Sequence, residues 1–235
     1  MCSILISMVM AAQLDAVALV RKVETQYLAQ TSQGIARMRV VTPKWSREMK
    51  LALWSEGRDR FLIRIVEPAK ERGIATLRVG NDIWTYLPAI DRLMKIPESL
   101  MGDKWMGSNL THDDLVHEAK IDEEYHLKIT YQDAATAAIE AVPKENVAVV
   151  WGKVLYVVDL ARLVPIRVEY FDEEGVKVRT MEFDQVAKVG GKWIPLRMAV
   201  IPADANERTE MIYDEISFDK PVPRDLFSTG SLRRR

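Results

Sequence analysis

The sequence predicts a mainly β (α+β) protein: a strongly curved antiparallel sheet that forms an incomplete barrel, with helices covering its concave face. Segments of alternating apolar and polar residues recur at a spacing of roughly 8 to 12 residues. Turn-forming residues such as Gly, Asn and Pro separate these segments. Strands and helices do not alternate, which argues against a parallel sheet. About a dozen antiparallel strands in one sheet curl strongly.

Length and composition indicate one folded domain with a sizeable core. The chain has 235 residues, 48% of them hydrophobic, and a formal net charge of -1. This balance gives no electrostatic attraction for nucleic acid or an anionic membrane, and we expect no nucleic-acid partner. No apolar run is long enough to cross a bilayer, so no transmembrane segment is expected in the mature chain.

The first residues resemble the end of a signal peptide. Residues 4–12 form a short apolar run that ends in small residues, although no basic residue precedes it. We therefore interpret residues 1–12 as the remnant of a signal peptide and residues 13–235 as a single half-barrel domain. The alternative is that residues 1–12 simply begin the first helix.

The predicted elements begin with a helix over residues 14–29, where apolar residues recur at three- and four-residue spacing. Alternating patterns then predict strands at residues 33–41, 45–55, 60–67 and 73–79. A second series of strands is predicted at residues 125–132, 136–142, 150–159, 164–171, 176–186, 192–201 and 208–218. A helix is expected from Thr111 to about Lys120, with Thr111 as its N-cap.

Residues 77–96 are predicted to form three strands joined by tight turns. Gly80 and Asn81 suit the left-handed positions of the first turn. The middle strand carries Trp84 and Tyr86 on one face, with Ile83 on the other. Apolar bulk on both faces indicates that both are covered, or that one lines an apolar hollow.

Residues 97–109 have the composition of a mobile hydrophobic lid. Methionine and tryptophan lie there beside Gly102 and Gly107, which can serve as hinges. We expect the lid and the hollow together to bind ligand. The predicted ligand-binding residues are Trp84, Tyr86, Met94, Ile96, Leu100, Met101, Trp105 and Met106.

No motif in the sequence carries catalytic chemistry. There is no nucleophile elbow, no Gly-rich phosphate loop and no His-Glu-x-x-His motif. His112 and His117 are five residues apart and so face different sides of a helix. Asp113 and Asp114 are interpreted as a solvated first helical turn rather than metal ligands. We therefore expect no catalytic residues, no metal and no cofactor. Residues 231–235 are read as a solvated basic end, or as a docking point for lipid phosphates.

Several motifs resemble the outer-membrane lipoprotein-sorting protein group, which is similar to the periplasmic lipoprotein carrier of the Lol system. They are Val-Thr-Pro-Lys-Trp at 41–45, Pro-Ala-Lys-Glu-Arg-Gly at 68–73, the Val-Gly-Asn-Asp-Ile-Trp-Thr-Tyr-Leu-Pro hairpin at 79–88, Trp-Met-Gly-Ser at 105–108 with Asp-Asp-Leu at 113–115, and Val-Trp-Gly-Lys at 150–153. Arg58 falls near the arginine that holds the lid of the best-known carrier closed, but in a different local sequence, so its role stays open.

The resemblance implies a non-enzymatic periplasmic carrier. Its interior would bind the acyl chains of a lipoprotein or lipid for transfer towards the outer membrane. The implied partners are an inner-membrane exporter and an outer-membrane acceptor. Two alternatives stay open: an accessory interaction module of an inner-membrane lipid exporter of the resistance-nodulation-division type, and a lipid-ester hydrolase.

Overall fold

One antiparallel sheet organises the protein in the computed structural model, which describes residues 14–27, 29–117, 120–204, 206–223 and 225–234. The sheet has 13 strands in the order β6-β5-β4-β3-β2-β1-β13-β12-β11-β10-β9-β8-β7. The strands β6 and β7 stand at its two edges, so the sheet is open. The predicted fold class is confirmed. The predicted signal-peptide remnant, residues 1–12, lies outside the described residues.

The strand bounds follow the alternating patterns closely. The first six strands are β1 Thr31–Val41, β2 Ser46–Glu56, β3 Arg60–Glu67, β4 Ala75–Val79, β5 Asp82–Leu87 and β6 Arg92–Lys95. The other seven are β7 Tyr125–Gln132, β8 Thr136–Pro143, β9 Lys153–Asp159, β10 Val164–Phe171, β11 Lys177–Val189, β12 Lys192–Pro202 and β13 Arg208–Phe218. Except for β6 and β7, strands that follow each other in the sequence are neighbours in the sheet, and the pair β1 and β13 joins the two halves.

The strand order forces one connection to cross a face of the sheet. The chain leaves β6 at one edge and enters β7 at the other. The described residues of this connection, 96–117 and 120–124, are called the crossing segment below. It contains short 3-10 turns at Glu98–Leu100 and Trp105–Gly107 and the helices α2 (Asp114–His117) and α3 (Ile121–Glu124). The predicted helix from Thr111 to about Lys120 is confirmed over Asp114–His117, and residues 118–119 lie outside the described residues.

The helix α1, Ala16–Tyr27, lies on the same face as the crossing segment. Asp15 caps it, because its carboxylate accepts a hydrogen bond from the Val17 amide at 2.9 Å. Leu19, Val20 and Val23 are buried and pack onto the sheet. The described helices are all too short or too polar to pass through a bilayer.

Each face of the sheet carries its own apolar cluster. On β3, Ile63 belongs to the main core and the adjacent Leu62 to a second cluster. Because successive strand residues point to opposite faces, the two clusters lie on opposite sides of the sheet. The main core packs under α1 and the crossing segment, on the inner face. The second cluster packs under the C-terminal segment, on the outer face; its members are Leu62, Ala75, Leu77, Tyr86, Phe227 and Leu232.

The C-terminal segment corrects one expectation. Residues 231–235 are expected to be a solvated end, but Ser231 and Leu232 are buried. Leu232 fills the outer cluster, and the guanidinium of Arg64 on β3 donates a hydrogen bond to the Ser231 carbonyl at 2.9 Å. The apolar outer surface of β3 to β5 explains the difference, because its burial stabilises any apolar segment that reaches it.

Candidate ligand-binding site

A row of four methionines crosses the inner face of the sheet. Met49 pairs with Met38, Met38 with Met211, and Met211 with Met198, on the adjacent strands β2, β1, β13 and β12. Met38 and Met49 are fully buried, and Met198 and Met211 are half-buried against the main core. Methionine is unbranched and flexible, so such a row gives an apolar surface that can repack around different shapes.

Trp105 is the central side chain of the crossing segment. It is only 1% exposed and lies in the main core. Its indole Nε1 donates a hydrogen bond to the Thr76 hydroxyl on β4 at 3.0 Å. The next two residues, Met106 and Gly107, have left-handed backbones with φ of 51° and 70°. The resulting tight loop, closed by the bridge between Lys104 and Thr111, directs the indole into the interior.

Polar side chains of the sheet hold the Trp105 loop in place. The Asn109 amide donates to the Thr209 hydroxyl on β13, and that hydroxyl donates to the Asn109 side chain, both at 2.8 Å. Arg47 on β2 donates to the Met106 carbonyl at 3.0 Å and also pairs with Glu71. Arg179 on β11 also donates to the Asn109 carbonyl at 3.1 Å. Directional hydrogen bonds therefore attach the loop to the sheet at Thr76, Thr209, Arg47 and Arg179.

A buried ion pair anchors the start of α2. Asp114 pairs with Arg179 of β11, and both side chains are under 5% exposed, at 3% and 4%. The Arg179 guanidinium also lies over the rings of Tyr170 and Trp151, at 4.3 and 4.5 Å. Asp113 is buried as well. The expectation that the two aspartates form a solvated helical turn is therefore wrong, because a cation from a distant strand neutralises the buried Asp114 carboxylate.

Thr111 nevertheless caps α2 as the sequence predicts. Its hydroxyl accepts a hydrogen bond from the Asp114 amide at 3.2 Å. The Asp114 carboxylate in turn accepts one from the Thr111 amide at 2.7 Å. This reciprocal pattern is a capping box. Asp114 therefore has two roles, capping and pairing with Arg179.

Arg58, in the turn between β2 and β3, ties two helices to the sheet. Its Nη2 donates to the Glu24 carboxylate of α1 at 2.7 Å and to the Asp122 carboxylate of α3 at 2.6 Å. Asp122 also accepts a hydrogen bond from Arg21 of α1 at 2.7 Å. One guanidinium thus joins the two helices that cover the inner face at this end. We call this group the Arg58 cluster: Arg21, Glu24, Arg58 and Asp122.

The pKa values of the two carboxyl groups in the Arg58 cluster are shifted in opposite directions. Burial raises the pKa of Glu24 from 4.5 to about 8, and the nearby Arg58 only partly offsets this. Burial would also raise the pKa of Asp122, but hydrogen bonds from Arg21 and Arg58 outweigh it and hold that pKa below its usual value. Asp122 is therefore the firm anionic partner of Arg58, and Glu24 the one that exchanges protons near neutral pH.

Arg78 on β4 holds the crossing segment from beneath. It is buried and donates to the Leu115 carbonyl at 3.0 Å and to the Gly80 carbonyl at 2.8 Å. Its Nη2 lies 3.8 Å from the Asp59 carboxylate, beside the Arg58 turn. Burial lowers the pKa of Arg78. The guanidinium is therefore kept under the covering segment with an incomplete set of partners.

The interior is closed in this conformation. A cavity of about 30 Å³ lies among Asp113, Asp114, Ile121, Tyr125, Trp151, Val154, Tyr156 and Tyr170. This volume holds one or two water molecules rather than an acyl chain. A groove of about 580 Å³ exists at Arg39, Val41, Ile201, Asn206, Glu207, Arg208 and Glu210, but its lining is mostly charged. Met38 and Met49 are buried in the main core, which α1 and the crossing segment cover.

The structure divides the predicted ligand-binding residues between the two faces. Trp105 and Met106 lie with the main core on the inner face. Trp84 and Tyr86 lie with the outer cluster under the C-terminal segment. The remaining four lie at or beyond β6: Met94, Ile96 and Met101 are half-buried, and Leu100 is 43% exposed. The eight residues therefore do not form one surface.

Sequence reasoning missed the methionine row, although a signal was present. Met38 and Met49 lie on either side of the short gap between the predicted strands 33–41 and 45–55, and they face each other across that hairpin. Met198 and Met211 lie in the same way on either side of the gap between the predicted strands 192–201 and 208–218. The pairing of β1 with β13 joins the two hairpins, and nothing local in the sequence specifies that contact.

The inner face is predominantly apolar. Across the described ranges, no three His, Cys, Asp or Glu side chains are grouped so that they could hold a metal ion. The cavity is lined mainly by aromatic and aliphatic side chains. The charged groups around it are engaged with covering elements, as in the pairs Asp114 with Arg179 and Asp122 with Arg58.

Three solved structures share this fold, an open curved sheet with covering helices. A DUF1329 family protein from Desulfovibrio piger superposes with a TM-score of 0.85 at 21% identity, over 92% of this chain and 97% of that one. A protein from Vibrio parahaemolyticus, described as an outer membrane lipoprotein-sorting protein domain, gives 0.82 at 20% identity, over 93% and 98%. A LolA superfamily protein from Nitrosomonas europaea gives 0.77 at 19% identity, over 93% and 100%.

The chain belongs to a family described as "Uncharacterized protein", whose model matches residues 57–234. No curated protein sequence matches the chain. The structural similarities, all at low identity, establish the fold. They confirm the resemblance drawn from the sequence motifs at the level of architecture.

Proposed function

We propose that this protein is a non-enzymatic periplasmic carrier whose inner face binds the acyl chains of a lipid or lipoprotein on their way to the outer membrane. An inner-membrane exporter would load it and an outer-membrane acceptor would unload it. The fold it shares with lipoprotein-sorting proteins supports the proposal. The observation that carries it is the methionine row beneath α1 and the crossing segment, which together are called the cover.

The crossing segment has few of the backbone hydrogen bonds that would hold it rigidly in place. The crossing segment consists of short turns of three or four residues and makes little regular backbone pairing of its own. Such segments open at lower free energy than the strands of a sheet. It is attached by hydrogen bonds that Thr76 and Thr209 accept and that Arg47, Arg78 and Arg179 donate. Opening would exchange these for water and expose the apolar face to an acyl chain.

Burial of the chain would drive binding. Each buried CH₂ contributes about 0.8 kcal/mol, so a dozen methylenes would contribute roughly 10 kcal/mol before the cost of opening. Delipidated protein titrated with a fluorescent fatty acyl probe should therefore show saturable binding. An absence of saturable binding, together with no lipid in an organic extract of the native protein, would refute the proposal.

A pair of neighbouring substitutions on β13 locates the binding face. Met211→Gln keeps the length of the side chain but places an amide on the inner face, where it should weaken acyl binding about tenfold, or about 1.4 kcal/mol. Ile212→Gln makes a comparable change at the next residue, which points to the other face and is also half-buried. Equal effects of the two changes would show that acyl chains bind elsewhere.

A further inference from the structure

Two arginines of the sheet lie together beneath the covering helices. The backbone links them closely, because the Gly80 amide donates to the Asp59 carbonyl at 2.8 Å. Arg78 bonds the Gly80 carbonyl and approaches the Asp59 carboxylate, while Arg58 precedes Asp59 in the chain. Both guanidiniums therefore lie at the same end of the inner face, where β2, β3 and β4 meet the helices.

In the closed form, both guanidiniums donate hydrogen bonds to oxygen atoms of the cover. Two carboxylate oxygens, from Glu24 and Asp122, converge on one nitrogen of Arg58. The Leu115 carbonyl accepts a hydrogen bond from Arg78. Glu123 of α3 accepts a further hydrogen bond from Arg58 Nη1 at 3.2 Å. All four acceptors belong to elements that must move if an acyl chain is to enter. When they leave, two cations remain on the sheet with Asp59 as the neighbouring anion.

The two guanidiniums also have unused donors. Among the described residues, Arg58 Nε and Arg78 Nη2 are buried and donate no hydrogen bond. The Arg78 side chain is only 4% exposed. A buried charged group with an unpaired donor destabilises the protein unless a ligand accepts a hydrogen bond from that donor. Planar guanidiniums match the oxygens of a phosphate in geometry and charge.

From these contacts we propose that Arg58 and Arg78 form a binding site for the phosphate of an acidic lipid whose acyl chains occupy the methionine row. The phosphate oxygens replace Glu24, Asp122, Glu123 and the Leu115 carbonyl as acceptors. The inference rests on the proposed carrier function and names the class of its cargo. It selects a free acidic lipid, because the diacylglyceryl anchor of a lipoprotein carries no phosphate.

The test compares two lipids that differ only in the phosphate. Dioleoyl phosphatidic acid and dioleoylglycerol compete against a fluorescent acyl probe on the delipidated full chain. We expect phosphatidic acid to bind at least about tenfold more tightly, since its phosphate gains charge-assisted hydrogen bonds. Equal binding of the two lipids would overturn the phosphate site and leave the carrier function standing. Binding of neither lipid would overturn both proposals.

Substitutions then test whether Arg58 and Arg78 cause the preference for phosphatidic acid over dioleoylglycerol. Arg78→Gln should reduce the affinity ratio of the two lipids towards one, and Arg78→Lys should restore part of it. The ratio is informative because loss of the Leu115 hydrogen bond affects both lipids alike. Arg64→Gln is the matched control, a half-buried arginine of the outer face that also bonds a backbone carbonyl. An unchanged ratio in Arg78→Gln would refute the assignment.

Small phosphates distinguish the lipid headgroup from a free anion. Glycerol 3-phosphate and inorganic phosphate at millimolar concentration should neither displace the acyl probe nor raise the melting temperature, because the site opens only when acyl chains lift the cover. A tripalmitoyl-cysteinyl peptide should bind no better than dioleoylglycerol. Stabilisation by inorganic phosphate alone would make this a site for free anions and overturn the lipid assignment, as would a preference for the peptide.

Discussion

Glu24 gives the closed state a dependence on pH. Its pKa is raised to about 8 by burial, so the folded protein holds a proton that the unfolded chain releases near 4.5. The folded state therefore loses stability from this group as pH rises from about 4.5 to about 8. Burial lowers the pKa of His112, which acts in the opposite direction below 6.5.

Glu24→Gln should remove the contribution of Glu24 without changing the shape of the side chain. We expect the stability lost between pH 5 and pH 8 to be smaller in this variant than in the wild type, as measured by urea unfolding at several pH values. The His112 contribution is common to both proteins. Glu56→Gln, at an exposed ion pair with Arg60, serves as the control and should leave the profile unchanged. A Glu24→Gln profile identical to the wild type would contradict the assignment.

The hydroxyl of Thr76 determines whether the buried Trp105 indole is satisfied. Thr76→Val should cost about 1 to 3 kcal/mol of unfolding free energy, because the indole donor stays buried without its acceptor. Thr85→Val changes a threonine paired directly with Thr76 on β5 and should cost less. Chemical denaturation of the two variants measures the difference. A larger loss for Thr85→Val would show that the indole hydrogen bond contributes little.

At the scale of elements, Arg58 joins α1 and α3 to the sheet. Arg58→Met should release both helices while the strands stay intact. Hydrogen exchange followed by mass spectrometry should then show faster exchange in α1 and α3, with β1 and β2 unchanged. Arg60→Met, two residues along the same hairpin and part of an exposed ion pair, should change little. Uniform acceleration across the sheet would indicate global destabilisation instead.

The sequence predicts the elements of this protein better than their contacts. Alternation and turn residues place the strands, because those signals are local. Asp113 and Asp114 look solvated because acidic residues suit a first helical turn, and only the distant Arg179 reveals the burial of Asp114. The sequence predicts that the face carrying Trp84 and Tyr86 is covered or lines a hollow, but only the structure shows that the C-terminal segment covers it. The site itself depends on β1 pairing with β13, a contact far apart in the sequence.

At the scale of the whole molecule, the proposed carrier function predicts that the outer cluster contributes to stability and the inner face to binding. Leu232→Ala on the outer face should reduce stability by about 2 to 5 kcal/mol if the C-terminal segment unfolds with the domain. Acyl-probe affinity should stay within about twofold of the wild type at a temperature where the variant is folded. Calorimetry and probe titration measure the two quantities. A parallel loss of affinity would show that the outer cluster shapes the inner face.

The two edge strands, β6 and β7, do not pair with each other. A sheet that is not closed into a barrel can change its curvature without breaking hydrogen bonds between its strands. The capacity of the interior is thus adjustable, within the limits that twisting of the strands allows. One chain could in this way accommodate hydrocarbon tails of unequal length and saturation, so a homologous series of probes should bind with gently graded affinities rather than a sharp cut-off.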